Sequence, residues 1–262
     1  MLKKFLLIVI TTFTLTFYAS AGSDGELILK KNNPSEIKDC SEKFNRASFA
    51  FNQAIDGAIL KPAASVYKKL PSPVRSGVGN SLDNLSNLVT IPNNILQGDF
   101  EKAGVNTGRF IINSTLGLLG IFDVANQIGL IDHEKEDYGQ TLAKHGVGPG
   151  CYIVLPILGP STARDGIASI ANFTGGDAWY NVTVKNDTHY FSDFDFYGTK
   201  VTGGVDFRAK NFDSLENLET NSLDFYSSVK SLYLQDRQQK ILNTKKIVQT
   251  QNDSDWEEIE NN

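Results

Sequence analysis

Helical periodicity that keeps being interrupted constrains this chain more than any other feature. Apolar positions recur at three- and four-residue spacing through Phe44, Ala47, Phe51, Ala54, Ile55 and Ala58. They recur again at Val74, Val78, Leu82 and Leu85, and through Phe100, Ala103, Thr107 and Phe110. Such spacing puts each set on one face of a helix. Pro62, Pro71, Pro73, Pro92 and Gly98 fall among these runs, and neither residue type suits a helix interior. The pattern predicts an all-α fold of short amphipathic helices broken at Gly and Pro. Asp39 and Glu42 have capping-box spacing, which places a helix start at Asp39. Further helices are expected over 137–145, after Ser161 as an N-cap, over 201–219 and over 222–241. Residues 174–198 lack a steady period and read as a long loop, with a β-hairpin around 179–185.

The two ends of the chain differ from its middle. Lys3 and Lys4 precede a 13-residue apolar stretch over 5–17, and Ala19-Ser20-Ala21 supplies small residues for cleavage. This is the pattern of a secretory signal peptide over 1–21, with cutting expected between Ala21 and Gly22. Removing it takes away two lysines and no acid, so the charge moves from −5 to −7. A bacterial lipoprotein needs Cys directly after the small residues. Gly22 stands there and the first Cys is Cys40, so no N-terminal lipidation is expected. Residues 22–38 form a polar leader. Residues 243–262 are rich in acids and poor in apolar groups, and a disordered tail is expected there.

With 262 residues, 40% apolar and 21% charged, the composition excludes a disordered chain and a polytopic membrane protein. A negative net charge argues against nucleic acid as partner. Catalytic signatures are weak. Gly159-Pro160-Ser161-Thr162-Ala163 approaches a nucleophile elbow but ends in Ala. His133, His145 and His189 are isolated and lack metal-ligand spacing, so no metal or cofactor is expected. The two cysteines, Cys40 and Cys151, are 111 residues apart; export permits a disulfide, and their spacing leaves its formation open. Two Asn-x-Thr triplets, at Asn172 and Asn181, carry weight only in a eukaryotic secretory path.

A series of ordered motifs resembles the VacJ/MlaA family. Phe44-Asn45-Arg46 and Phe49-Ala50-Phe51-Asn52 open it, followed by Pro73-Val74-Arg75-Ser76-Gly77-Val78 and by Leu96-Gln97-Gly98. Residues 108–117 (GRFIINSTLG) and Phe122-Asp123-Val124-Ala125 are similar to its central signature. Asp137-Tyr138-Gly139-Gln140, residues 146–150 (GVGPG), residues 155–161 (LPILGPS), Arg164-Asp165 and residues 231–235 (SLYLQ) continue it. The resemblance places the family domain over 39–242. It implies a non-enzymatic Gram-negative outer-membrane protein acting from the periplasmic side. Its fold would be a ring of interfacial helices around a channel. Misplaced phospholipids would leave the outer leaflet through that channel and pass to a periplasmic lipid carrier, with a porin as outer-membrane partner. Carried onto this sequence, the channel and its rim draw on Phe44, Asn45, Arg109, Asp123, Asn126, Gly148, Gly150, Arg164 and Asp165. Arg109 and Arg164 are candidates for phosphate head groups, since guanidinium binds phosphate in a bidentate way, with a structural ion pair as the alternative for both, for Arg164 with Asp165 or another acid. Residues 116–131, apolar but holding Asp123, Asn126 and Gln127, suit a wall with lipid on one side and a polar passage on the other. An exported lipid hydrolase using Ser161 and a soluble periplasmic scaffold are the alternative classes.

Overall fold

A computed structural model describes residues 37–131, 134–172, 176–185 and 191–242. The signal segment, its cleavage site, most of the leader, the acidic tail, His133 and His189 lie outside them. The chain runs α1 (Glu42–Ile55), α2 (Lys61–Lys68), α3 (Ser72–Leu96), α4 (Phe100–Thr115), α5 (Val124–Gln127), α6 (Tyr138–Lys144), β1 (Tyr152–Leu155) and β2 (Gly159–Thr162). It continues through α7 (Ala163–Ala171), α8 (Ala178–Tyr180), α9 (Asp193–Lys210), α10 (Phe212–Asn221) and α11 (Phe225–Leu242). The architecture is mostly helical, as the periodicity predicts. The exception is one antiparallel hairpin, with Tyr152 opposite Thr162 and Leu155 opposite Gly159.

Two prolines do not break the helices they sit in. Pro62 lies near the start of α2, and the chain enters it from α1 through a π turn, Asp56–Leu60. The Lys61 amide there donates to the Asp56 carbonyl, five residues back. A proline ring crowds the carbonyl four residues behind it; a wider turn makes room without ending the helix. Pro92 sits inside α3, which continues to Leu96. The turn beyond it is held from outside: Asn106 donates to Asn94 at 2.9 Å and Thr141 donates to Asn93 at 2.6 Å.

The expected helix starts shift for identifiable reasons. Asp39 does not cap α1, whose N-cap is Ser41. Asp39 instead pairs in a parallel bridge with Tyr152, and its carboxylate accepts from Asn45, Tyr226 and Lys230. Thr162 and not Ser161 caps α7, accepting from the Asp165 amide. The expected hairpin around 179–185 is helical: α8 is capped by Asp177 and followed by a π turn, Asn181–Lys185. Trp179 is buried there against Phe196, with ring centroids 4.9 Å apart. Ser192 and Asp195 form a reciprocal capping box that starts α9.

Helices α3 and α4 make an antiparallel pair whose contact is polar. Asn84, Asn87, Thr90, Asn93 and Asn94 of α3 are buried, as are Asn106, Arg109 and Asn113 of α4. Asn84 donates to Ser114 across the seam at 2.9 Å. The inversion extends through the described residues. Buried residues there comprise 21 polar or charged side chains and 11 apolar ones, while 29 large apolar side chains are exposed. Among the described residues no helix is long and apolar enough to cross a membrane.

Candidate functional site

The candidate residues fall into three clusters, each built at a junction between elements. In the first, α4 meets the segment that follows it. Arg109, 4% exposed, forms an ion pair with Asp123 at 2.9 Å and donates to the Leu130 carbonyl at 2.5 Å. Asn113 donates to the other carboxylate oxygen at 2.9 Å, and its own oxygen accepts the Ala125 amide. Asp123 also caps α5 by accepting from the Asn126 amide. Partial burial pushes the Asp123 carboxyl up, but the bonds from Asn113 and Arg109 outweigh it and hold it below the usual carboxylate range. The side chain of Asn126 stands at the exposed edge of this cluster.

The second cluster is a buried knot of opposite charges. Asp165 accepts from its neighbour Arg164 at 2.8 Å, from Arg237 at 2.9 and 3.0 Å, and from the Tyr233 hydroxyl at 3.1 Å. Arg237 also holds Asp137 through two bonds of 2.6 and 2.7 Å, tying α11 to the N-terminus of α6. Burial pushes the Asp165 carboxyl up; hydrogen bonds from the two guanidinium groups overcome this and hold it at about 2. Gly139 is required here. A Cβ on it would lie 2.4 Å from both Arg237 Nη2 and Asp165 Oδ1. Beside the knot is a pocket of about 220 Å³ that also touches Ser161. The Ser161 hydroxyl is buried and donates to the Thr162 carbonyl.

The third cluster fastens the start of the chain to the hairpin. Asn45 is fully buried; it donates to Asp39 at 2.7 Å and to the Tyr152 carbonyl at 3.0 Å, and accepts the Val154 amide at 2.9 Å. Cys40 and Cys151 are joined in a disulfide beside it, their Cα atoms 5.6 Å apart. Phe44, next to Asn45, points outward and is 59% exposed. Gly150 has φ +68, with a notional Cβ 2.9 Å from Ala163, so it sets the turn into β1. Gly148 is exposed with open space around it.

A family model described as "MlaA lipoprotein" matches residues 37–240. The chain belongs to the MlaA lipoprotein family. It is 33% identical over 229 residues to the Haemophilus influenzae "Intermembrane phospholipid transport system lipoprotein MlaA", covering 82% of this chain and 84% of the relative. The Escherichia coli protein of the same name is 34% identical over 201 residues, covering 75% and 76%. An uncharacterised protein of Rickettsia bellii is 34% identical over 212 residues, covering 80% and 79%. A solved structure reported under "Structural basis for maintenance of bacterial outer membrane lipid asymmetry" superposes with a TM-score of 0.65 at 32% identity. It covers 78% of this chain, which in turn spans 99% of that structure. In this MlaA relative, the sequence motifs point to Arg109, Asp123, Arg164 and Asp165 as candidates but not to Asn113, Asp137, Tyr233 or Arg237, which complete the same clusters. Asp137 stands at the start of the expected 137–145 helix, where it proves to be the N-cap. Arg237, 72 residues from Asp165, carries no such sequence signal.

Proposed function

We propose that this chain moves phospholipids between membranes from the periplasmic side of the outer membrane, drawing misplaced lipid from the outer leaflet through a passage lined by its polar interior. One observation carries the reading. Among the described residues, polar side chains outnumber apolar ones in the interior, 29 large apolar side chains are exposed on helices and loops, and no helix is long and apolar enough to span a membrane. In water such an arrangement leaves apolar surface uncovered; against acyl chains the same surface is buried, at about 25 cal/mol per Å². Interhelical amide bonds hold helices together where apolar packing against lipid supplies no driving force. The amide seam also has polar atoms to spare. Asn94 Nδ2, Asn106 Oδ1 and Asn84 Oδ1 are buried without a protein partner. Unless a polar molecule reaches it, each such atom costs about 1–3 kcal/mol. An apolar cavity of about 440 Å³ beside the seam, lined by Val74, Val78, Leu82 and Ile121, offers room for an acyl chain.

In this reading the helices form a ring. Arg109 and Asp123 stiffen its wall, while Phe44, Asn126 and Gly148 lie toward its rim. The lipid passes onward to a periplasmic carrier, and a porin is the outer-membrane partner. The chain is exported by residues 1–21 and starts at Gly22. Both cysteines of the sequence are joined to each other, so neither sulfur serves a lipid thioether, despite the family's name. Attachment falls to the apolar surface. A buried Ser161 hydroxyl spent on a carbonyl gives the hydrolase alternative no support. Photocrosslinkers at positions 44 and 126 in intact cells should capture phospholipid, whereas one at Lys240 should not. Equal capture at all three positions would refute the passage.

A further inference from the structure

Among the described residues, three outside glycine have left-handed backbone: Leu118 at φ +49, Leu119 at +58 and Ile157 at +69. Such backbone is strained for any residue with a Cβ, and for a β-branched side chain the conformation is a true outlier. All three are large aliphatics, and all three are exposed, at 61%, 68% and 75%. The strain therefore holds apolar side chains outward at two loop tips. Leu116 and Phe122 flank the first tip, and Leu158 extends the second; all are exposed too. No charged residue lies between Arg109 and Asp123, or between Cys151 and Ala163.

The left-handed turns fold the backbone back on itself. In the first tip the amides of Leu116 and Gly117 donate to Ile112, Leu119 to Ser114, Gly120 to Asn113, Ile121 to Leu118 and Phe122 to Gly117. Asn80 donates to the Ile121 carbonyl. In the second tip Pro156 has no amide hydrogen, and the Leu158 amide donates to the Pro156 carbonyl. Two further groups are taken by one side chain from α1: Asn52 accepts the Ile157 amide at 2.6 Å and donates to the Leu155 carbonyl at 2.9 Å. Irregular loops facing water have no need of such closure. In hydrocarbon, where no water can meet an unpaired backbone group, each such bond counts.

We infer that these two tips, residues 116–122 and 155–159, penetrate the acyl layer of a phospholipid bilayer, and that Asn52 is the positioning residue that seals the second tip. This rests on the membrane-bound reading above and assigns its depth to named residues. The test uses Leu119→Cys, Ile157→Cys and, as an aqueous reference on α10, Asn221→Cys. Each is spin-labelled with the native disulfide intact and added, as the full processed chain, to phosphatidylethanolamine–phosphatidylglycerol vesicles. The ratio of oxygen to nickel-chelate accessibility should be several-fold higher at 119 and 157 than at 221. Asn52→Leu should lower the ratio at 157 and leave it unchanged at 119, which also reports that the variant has folded. A chain bound to vesicles whose tips are as open to nickel chelate as position 221 would overturn the inference alone. Failure of the chain to bind vesicles would overturn the membrane reading and the inference with it. An Asn52→Leu chain with full depth at 157 would remove Asn52 from the assignment.

Discussion

Replacing Asp165 by Asn keeps the shape of the buried knot and removes its central charge. Arg164, 4% exposed, loses the carboxylate facing it, while Arg237 keeps Asp137. Removing one partner of a buried pair costs about 3–5 kcal/mol. Asn retains an acceptor oxygen, so the lower end applies, about 3 kcal/mol. A domain of this size loses roughly 2–4 °C of Tm per kcal/mol, which makes the expected drop about 6–12 °C near neutral pH. Acid provides an internal check. The Asp165 carboxyl is held at about 2 against 3.8 for an ordinary aspartate. That gap corresponds to about 2.5 kcal/mol of stability. Because the folded value is depressed, this stability is present above about pH 4 and disappears as pH falls through about 2. The Asn variant never has it. Thermal melts in mild detergent, followed by circular dichroism, should therefore show the wild type and Asp165→Asn converging as the pH is lowered. A loss under about 1 kcal/mol at neutral pH, or a gap that does not narrow in acid, would refute the view that Asp165 is a paired, buried carboxylate.

Three other outcomes follow from the same geometry. Gly139→Ala drives a Cβ into both Arg237 and Asp165, and a loss of about 3 kcal/mol or more, read by the same melts, is expected from separating that pair. Asn45→Leu strands the Tyr152 carbonyl and the Val154 amide, both on fully buried residues, and should cost about 2–5 kcal/mol in denaturant unfolding. Opening the Cys40–Cys151 bridge by Cys→Ser at both positions releases a 111-residue separation and should cost about 4–5 kcal/mol on the chain-entropy model; an unchanged unfolding midpoint would contradict the pairing.

Much of the helical layout was legible because amphipathic period and cap chemistry are local signals. The run from Phe100 to Phe110, the helix that begins at 137 and the Gly98 break appear where local rules place them. The failures came from partners distant in sequence. Asp39 looked like a cap until Tyr226 and Lys230 claimed its carboxylate and Tyr152 paired with its backbone. Pro92 looked like a stop, yet bonds from Asn106 and Thr141 hold the following turn helical. Tyr152–Leu155 is too short for a period to separate strand from helix, and its pairing with Gly159–Thr162 is set by the tip that Asn52 holds. The inverted core was half visible. The asparagines of α3 recur at helical spacing, but a polar face normally reads as solvent-facing, and only the contact with α4 turns it inward.

Outer-leaflet phospholipid in living cells tests the central claim most directly. A membrane-impermeant amine reagent can count phosphatidylethanolamine exposed on the surface of the native host with the chain present, deleted, or restored. Deletion should raise the surface count, and restoring the wild-type chain should return it to the starting level. The restored protein should also fractionate with the outer membrane and resist high-salt extraction, because a charge of −7 after processing cannot hold it to anionic lipid. An unchanged surface count on deletion, with the restored protein recovered in the osmotic-shock supernatant, would contradict the account.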